Sequence, residues 1–192
     1  MNEVQGVLRN IKFLTQYITN PRTVGAVLPS SKYLSYKMLD QVNFKSAECI
    51  IEYGSGTGAF TKEILKRRKK ETTIVLVEYN KEFFKILKEN FENEPNLIII
   101  NDSAENMEKH LNDLNITSVD FIVSGLPFAS LPTEMSDKIL TNTLNILNQN
   151  GLFITFQYTK LKIAYMERFF PHIQIEKEYR NVPPAYILSC KK

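Results

Sequence analysis

Residues 51–58 read IEYGSGTG, a glycine-rich turn between an apolar strand-like run and a helix-like segment. The three glycines, Gly54, Gly56 and Gly58, allow a tight turn and let a ligand lie against bare backbone. A strand that ends in such a turn and is followed by a helix is typical of the first unit of an open α/β sheet. The rest of the chain should therefore continue the alternation of strand and helix.

The sequence on either side of the turn alternates in this way. Strands are predicted at residues 49–51, 74–77, 97–100, 119–123, 152–157, 173–178 and 185–190. Helices are predicted at residues 59–69, 80–91, 103–111, from Met135 to Asn150-Gly151, and at 160–169. Helices of about ten residues between strands predict a parallel sheet with helices on both faces. The last two strands are joined by residues 181–184 alone, too few for a crossover, so this pair should be antiparallel.

The N-terminal part of the chain predicts a helical extension. Residues 3–19 carry apolar side chains at spacings of three and four, which form one stripe on a helix. Asn20-Pro21 ends this helix, because the residue before a proline avoids the helical region. A second helix, capped by a serine, runs to about Asp40. We therefore expect an extension or lid over residues 1–44 and one main domain over residues 45–192.

The composition is that of an ordinary globular protein, with 43% hydrophobic and 23% charged residues. No apolar run reaches the roughly 18 residues that span a bilayer, and the N-terminus has no signal-peptide pattern, so we expect a cytoplasmic protein. The two cysteines and two histidines have no zinc-like spacing, so no metal is expected. A net charge of +3 is too small to indicate nucleic-acid binding on its own. The cation run at residues 66–70 fits either a solvated helix end or a patch for anionic lipid or nucleic acid.

Polar residues follow the second and third strands at the same edge of the predicted sheet. Glu78 ends the second strand, where a carboxylate can accept hydrogen bonds from both hydroxyls of a ribose. Asp102 follows the third strand, between Asn101 and Ser103. Ligands of open α/β sheets bind at the carboxyl ends of the strands, so these turns predict a nucleoside site. NAD fits less well, because Ala59 stands at the last position of the G-x-G-x-x-G pattern and no second nucleotide half follows.

These motifs together resemble those of the class I S-adenosylmethionine-dependent methyltransferases. Residues 52–58 match the first motif of that superfamily, Glu78 matches its acidic ribose ligand, and Asp102 begins its adenine-contacting turn. The resemblance implies a Rossmann-like α/β fold: a mostly parallel seven-stranded sheet with an antiparallel last hairpin and helices on both faces. It implies S-adenosyl-L-methionine as cofactor, with Gly54 and Gly56 under the methionine moiety and Glu52 orienting its amino group through water. The cofactor-binding residues that it implies are Glu52, Tyr53, Gly54, Ser55, Gly56, Gly58, Glu78, Tyr79, Asp102, Ser103, Ala104 and Ser124.

The stretch after the fourth strand is where such enzymes hold the atom to be methylated. In the ribosomal RNA adenine dimethyltransferases it reads Asn-Leu-Pro-aromatic, and the matching residues here are Gly125, Leu126, Pro127 and Phe128. Glycine in place of asparagine removes one of the two acceptors for a buried exocyclic amine. Ser124 could substitute for the asparagine, but it stands one position early.

Three further stretches resemble the bacterial phospholipid N-methyltransferases, whose core is related to the ribosomal RNA enzymes. They lie at residues 20–31, 124–132 and 180–185. This resemblance implies methyl transfer to the amine of a phospholipid head group, of the phosphatidylethanolamine type, by a peripheral enzyme on the inner face of the cell membrane. The helix at residues 3–19 fits the membrane-contacting element of that family, and it also fits a helix that packs on the core.

The predicted acceptor site combines backbone and side-chain groups. Backbone carbonyls near Gly125 and Leu126 can hold the amine, which must lose a proton before it attacks. Tyr158, just after the fifth strand, is the candidate side chain facing the site, and Tyr17 could close over it from the N-terminal helix. Tyrosine is often a half-buried packing residue, so that alternative stays open for both.

Four residues are predicted to bind the substrate. Pro127 and Phe128 would line the acceptor, and Arg22 and Arg180 could bind a phosphate through two hydrogen bonds each. A surface ion pair is the alternative for the two arginines. Neither histidine lies in a motif, so both are expected to be structural or exposed.

Two other functions remain open at this point. One is a methyltransferase that acts on RNA adenine N6 or on another small amine. The other is a binding module that has lost catalysis and senses cofactor or membrane, although the intact cofactor motifs argue against it. Nucleic acid is the less favoured partner, and the chain is expected to be a monomer.

Overall fold

The computed structural model describes residues 32–160, 163–181 and 183–192 of the chain. The predicted helix at residues 3–19, which contains Tyr17, lies outside the described residues, and so does Arg22.

Seven strands and six helices build the described part of the chain. The strands are β1 (Cys49–Tyr53), β2 (Thr73–Val77), β3 (Leu97–Ile100), β4 (Val119–Ser124), β5 (Leu147–Gln157), β6 (His172–Glu178) and β7 (Ala185–Lys191). The helices are α1 (Lys32–Leu39), α2 (Ala59–Arg67), α3 (Lys81–Phe91), α4 (Met107–Asp113), α5 (Thr133–Ile146) and α6 (Ile163–Met166). A 3₁₀ turn at Ala104–Asn106 leads into α4.

The strands form one sheet in the order β3-β2-β1-β4-β5-β7-β6. The first five strands pair in parallel, and β7 is antiparallel to both β5 and β6. The predicted mostly parallel seven-stranded sheet with a reversed last hairpin is therefore confirmed. One edge of this sheet gathers the carboxyl ends of β1 to β6 and the start of β7.

The helix before β5 ends earlier than the sequence predicts. We expected it to continue to Asn150-Gly151, but α5 ends at Ile146 and β5 begins at Leu147, which pairs with Val119. Leu147 is 2% exposed, and a Cβ on Gly151 would lie 2.6 Å from its Cγ. Gly151 therefore serves close packing inside the strand and does not end the helix.

Hydrophobic side chains form a cluster on each face of the sheet. One cluster joins the sheet to α4, α5 and α6, and the other joins it to α1, α2 and α3. Ile50 and Ile51 are neighbours on β1 and fall into different clusters, as the alternation of side chains along a strand requires. Leu34 and Met38 of α1 are fully buried against α2, so the core extends into the segment expected to be an extension.

Gly58 shows why the turn needs its third glycine. Its φ is +84°, and a Cβ there would lie 2.5 Å from Cε2 of the buried Phe91 ring. Gly56 has a φ of +54°, but a Cβ there would meet nothing within 4 Å. Gly58 therefore allows α2 to approach α3, whereas Gly56 faces open space.

We expect Gly58→Ala to lower the free energy of unfolding by about 2–4 kcal/mol, because left-handed strain and overlap with Phe91 add together. Gly56→Ala is the matched control and should cost about 1 kcal/mol, from strain alone. Urea denaturation of both variants measures the difference. Equal losses would show that the Phe91 ring moves aside at no cost.

Candidate functional site

Hydrogen bonds join the three predicted ligand turns at the carboxyl edge of the sheet. The Gly56 N–H donates to Glu78 Oε2 at 2.8 Å, which ties the turn after β1 to the end of β2. The Asn101 side-chain amide donates to the Glu78 carbonyl oxygen at 2.8 Å, which ties β3 to β2. Asn101 was not predicted to link the turns, although its position between β3 and Asp102 places it at the same edge of the sheet. The turns that the sequence predicts to act together do lie together.

Glu52 is a carboxylate that is fully buried below the glycine turn. The Thr61 hydroxyl donates to its Oε2 at 2.7 Å, while its Oε1 has no hydrogen-bond partner in the part of the chain that the structure describes. Burial raises the pKa of Glu52 to about 8, Thr61 opposes this rise, and the nearby charge of Glu78 adds to it. An unpartnered buried carboxylate oxygen fits the cationic amino group of a ligand. Thr61, nine residues after Glu52, was not predicted as its partner.

The glycines shape a surface on which a ligand can lie. A Cβ added to Gly56 would meet no atom of the described residues within 4 Å, so Gly56 faces open space. A Cβ on Gly54, whose φ is +67°, would lie 2.8 Å from Leu126 Cδ2. A Cβ on Gly125 would lie 3.0 Å from the Gly54 carbonyl oxygen. The predicted acceptor loop therefore lies directly against the predicted cofactor turn.

Glu78 is 4% exposed, and each of its oxygens accepts one backbone N–H. Gly56 donates to Oε2 and Asn80 donates to Oε1, both at 2.8 Å. Burial raises the pKa of Glu78, and the backbone donors partly offset that rise. Each carboxylate oxygen can accept a second hydrogen bond, so two acceptor positions remain for the two hydroxyls of a ribose. Tyr79, the next residue, is 70% exposed and flanks this position.

Asp102 is held by its own turn. His110 Nε2 lies 2.7 Å from its Oδ2, while the Ser103 N–H and the Asn106 amide donate to its Oδ1 at 2.7 and 3.0 Å. Burial raises the pKa of Asp102, but these hydrogen bonds outweigh it, so the pKa is lowered. His110 is therefore a structural partner of this site. The Ser103 hydroxyl accepts from the Glu105 N–H, and Ala104 is buried, so the contact of this turn with adenine stays a prediction.

Two aromatic residues predicted to line the site lie in the core. Tyr53 is fully buried and its hydroxyl contacts Thr143, so only its backbone reaches the site, where its carbonyl accepts from Gly125 at 2.8 Å. Phe128 is also fully buried and packs edge-on against Phe153, with ring centroids 6.0 Å apart. Both side chains are packed inside the core in this structure, and their assignment to ligand contact stays a prediction. Ser55, which lies within the glycine turn, is also buried.

The acceptor loop is built on backbone hydrogen bonds. Ser124 is fully buried, and its hydroxyl accepts from the Leu126 N–H at 3.2 Å. Leu126 and Pro127 are half-buried, so they are the loop residues next to Gly125 that keep exposed surface. The loop therefore offers mainly backbone groups and an apolar wall to a substrate.

Tyr158 and Arg180 flank this edge of the sheet. Tyr158 is half-buried and packs edge-on against Phe156, in the cluster that faces α1 to α3. Arg180 binds Glu178 through two hydrogen bonds of 3.0 Å, and its guanidinium lies 4.5 Å from the Tyr33 ring centroid. The Arg180 side chain lowers the pKa of Glu178 to about 2. The structure thus shows the ion pair that was the alternative for Arg180, and a phosphate would have to compete with Glu178.

The cation run at residues 66–70 is largely engaged within the protein. Lys66 pairs with Glu63 at 2.7 Å, and Arg67 pairs with Asp40 at 2.8 Å. Arg68 donates to the Thr72 carbonyl at 2.9 Å. These contacts favour the interpretation of the cation run as a helix end over its interpretation as a patch for anionic lipid or nucleic acid.

Within residues 32–160, 163–181 and 183–192, no three His, Cys, Asp or Glu side chains are grouped to hold a metal ion. Over the same stretch, no helix has the length and hydropathy needed to cross a membrane.

The sequence is similar to a known protein family and to several known proteins. The model of the family described as ribosomal RNA adenine dimethylase matches residues 9–168. An ornithine lipid N-methyltransferase of Singulisphaera acidiphila is 29% identical over 182 residues, which cover 93% of this chain and 94% of that protein. A ribosomal RNA small subunit methyltransferase A of Alkaliphilus oremlandii is 33% identical over 81% of this chain and 56% of its own length. The chain thus spans about half the length of the ribosomal RNA relative.

A solved structure supports the fold alone. The precorrin-6y C5,15-methyltransferase of Geobacter metallireducens superposes with a TM-score of 0.65 over 83% of this chain and 87% of that one. The two sequences are 14% identical, so this likeness says nothing of the acceptor.

Glu78→Ala should weaken binding of S-adenosylmethionine by about 1–3 kcal/mol, because ribose hydroxyls and the Gly56 N–H lose their acceptor. Isothermal titration calorimetry measures this change. Glu82→Ala, which removes an exposed carboxylate from the first turn of α3, is the matched control and should bind normally. Unchanged affinity of Glu78→Ala would remove Glu78 from the cofactor site.

The raised pKa of Glu52 predicts a pH dependence of stability. The folded, ligand-free protein keeps a proton on Glu52 up to about pH 8, whereas the unfolded chain loses it near the ordinary value of 4.5. The stabilising contribution is complete below the unfolded pKa and is lost as the pH rises through the folded pKa. The free energy of unfolding should therefore fall as the pH rises across this window.

Urea denaturation at several pH values measures this slope. Glu52→Gln should reduce it but not abolish it, because the pKa of Glu78 is raised as well. An ammonium ligand favours the charged carboxylate, so affinity for S-adenosylmethionine should rise with pH in the wild type over the same window. An identical pH slope in Glu52→Gln and wild type would contradict the assignment.

Proposed function

Since this chain belongs to the ribosomal RNA adenine dimethylase family, we propose that it transfers a methyl group to the amine of a lipid head group. Membership makes it a class I S-adenosylmethionine-dependent methyltransferase, as the sequence motifs predict. The substrate we propose is of the phosphatidylethanolamine or ornithine lipid kind, in which a primary amine accompanies an anionic group. The bound cofactor supplies an electrophilic methyl group on a positively charged sulfur.

The residues present fit this cofactor. The unpartnered Oε1 of Glu52 would accept from the amino group of its methionine moiety, and the bare backbone at Gly56 would lie along it. Glu78 would hold the ribose through its two remaining acceptor positions. The family and the buried polar groups thus point to the same ligand.

The observation that carries the substrate proposal is the contact between Gly125 and the glycine turn. A Cβ on Gly125 would lie 3.0 Å from the Gly54 carbonyl oxygen. An asparagine in this backbone position would therefore require the turn to shift by a few tenths of an ångström, and the side-chain acceptor for an adenine amine is absent. Phe128, whose ring would stack on a base, is buried in the core. An aliphatic amine needs neither the amide nor the stacking surface.

The acceptor amine must be uncharged and aligned with the methyl group. We propose that carbonyls at Gly125 and Leu126 accept its N–H groups, so that its lone pair faces the cofactor. The Leu126 side chain lies over Gly54 and would exclude water from this point. A head-group amine is an ammonium near neutral pH, so it must first lose a proton, to water or to a local acceptor.

The similarity to an ornithine lipid N-methyltransferase over nearly the whole of both chains supports the lipid substrate. Contact of the segment at residues 3–19 with the inner face of the cell membrane remains part of this proposal. Methylation of RNA adenine is the second candidate, because the family model is described as ribosomal RNA adenine dimethylase and several relatives are named ribosomal RNA methyltransferases.

Transfer of labelled methyl to three acceptors tests the substrate. We expect label in vesicles of phosphatidylethanolamine or of ornithine lipid, and none in small-subunit ribosomal RNA. Expression in a host without methylated lipids, followed by mass spectrometry, should show mono-, di- or trimethylated head groups. Label in RNA alone would overturn the proposal.

Gly125→Asn sharpens this test. The added side chain should lower lipid methylation by about tenfold or more, through displacement of the glycine turn, and should not create RNA methylation. Ala129→Asn, at an exposed position of the same loop, is the matched control and should keep wild-type activity. Gain of RNA methylation by Gly125→Asn would show that the missing amide alone sets the substrate.

A further inference from the structure

Gln157, the last residue of β5, is a buried side chain whose polar atoms have no hydrogen-bond partner among the described residues. It is 3% exposed, and neither its Oε1 nor its Nε2 is bonded within residues 32–160, 163–181 and 183–192. Two residues earlier, the fully buried Thr155 hydroxyl also lacks a partner in this part of the chain. Buried polar groups in native proteins are nearly always bonded, so this pair calls for an explanation. A ligand that supplies the missing partners is one.

The sheet register places these groups beside the acceptor loop. Thr155 pairs with Ser124 across β4 and β5, so Gln157 lies two residues further toward the carboxyl edge, level with the segment that follows Gly125. Alternation along β5 puts Phe153, Thr155 and Gln157 on one face. Phe128 of the loop packs against Phe153 on that same face. The Gln157 amide therefore shares a face and an edge of the sheet with the acceptor wall.

We propose that the Gln157 amide positions the head group of the acceptor. Its Oε1 accepts one N–H of the uncharged amine, which leaves the other N–H to the carbonyls of the acceptor loop. Its Nε2 donates to the anionic oxygen of the same head group, a phosphate or a carboxylate. The Thr155 hydroxyl supplies a second contact. This assignment rests on the proposed function, and it adds a positioning residue on β5 to the carbonyls on the loop after β4.

An uncharged acceptor suits this task better than a carboxylate. A negative charge beside the amine would stabilise its ammonium form, which has no lone pair to attack with. The amide oxygen holds the N–H without adding charge, and the amide nitrogen adds a donor that no carboxylate has. Glutamine thus combines both hydrogen-bonding roles that an amine with a neighbouring anion requires.

Gln157→Leu separates this role from a structural one. Leucine removes an amide that has no partner among the described residues, so thermal stability should stay equal or rise. Affinity for S-adenosylmethionine should not change. The kcat/KM for lipid should fall by about tenfold or more, because the head group loses its hydrogen bonds. Gln157→Met, which keeps an unbranched chain, is the second variant and should behave alike if leucine disturbs the fold.

Gln157→Glu adds a pH readout. Its activity should fall near neutral pH and recover in part at higher pH, because a carboxylate raises the pKa of the bound amine. Gln174→Leu, at an exposed position of β6, is the matched control and should leave activity at the wild-type level.

Parallel assays with phosphatidylethanolamine and ornithine lipid vesicles identify the anion. A larger loss with the first lipid assigns Nε2 to a phosphate, and a larger loss with the second assigns it to a carboxylate. Full activity of folded Gln157→Leu on a lipid that the wild type methylates would overturn this inference alone. Absence of lipid methylation by the wild type would overturn the proposed function and this inference together.

Discussion

The hydrogen bond from the Gly56 N–H to the buried Glu78 carboxylate is the contact on which the site depends. It joins the turn after β1 to the end of β2 at 2.8 Å and holds the turn in a left-handed backbone conformation. Gly125 in turn donates to the Tyr53 carbonyl and lies against Gly54. The acceptor loop is therefore positioned by the same turn that would hold the cofactor. Such coupling suits a reaction in which alignment of two reactants supplies much of the rate.

Among the described residues, buried polar atoms without a hydrogen-bond partner lie on the strands at either side of the acceptor loop. Glu52 on β1 and Gln157 on β5 lie on the strands that flank β4, which carries the acceptor loop. One is a carboxylate suited to a cation, and the other is an amide suited to a group with both a donor and an anion. Leaving these atoms without hydrogen bonds lowers the stability of the ligand-free protein. Bound ligands that complete the hydrogen bonds would remove this loss. Arg180 and the cation run differ, because internal partners already engage them.

Most of the fold followed from local patterns in the chain. Gly54, Gly56 and Gly58 after an apolar strand predicted the first strand–turn–helix unit, and the short link before β7 predicted the reversed hairpin. Glu78 and Asp102 were singled out as candidates in the same way, because Glu78 directly follows β2 and Asp102 follows β3 after Asn101. The end of α5 was predicted too late, because Gly151 was taken as a helix stop, whereas the fit of Leu147 below it depends on strands far away in sequence.

The exact roles of side chains at the site were decided by packing, which no local pattern reveals. Phe128 matches a base-stacking position by sequence but fills the core, because Phe153 from β5 lies beneath it. Thr61, Asn101 and His110 became partners of the predicted acidic residues only when turns and helices met at the sheet edge. Gln157 could not be singled out by its type or spacing. Gln157 stands out because its amide is buried without a partner among the described residues. This burial arises only when the strands and the loop come together.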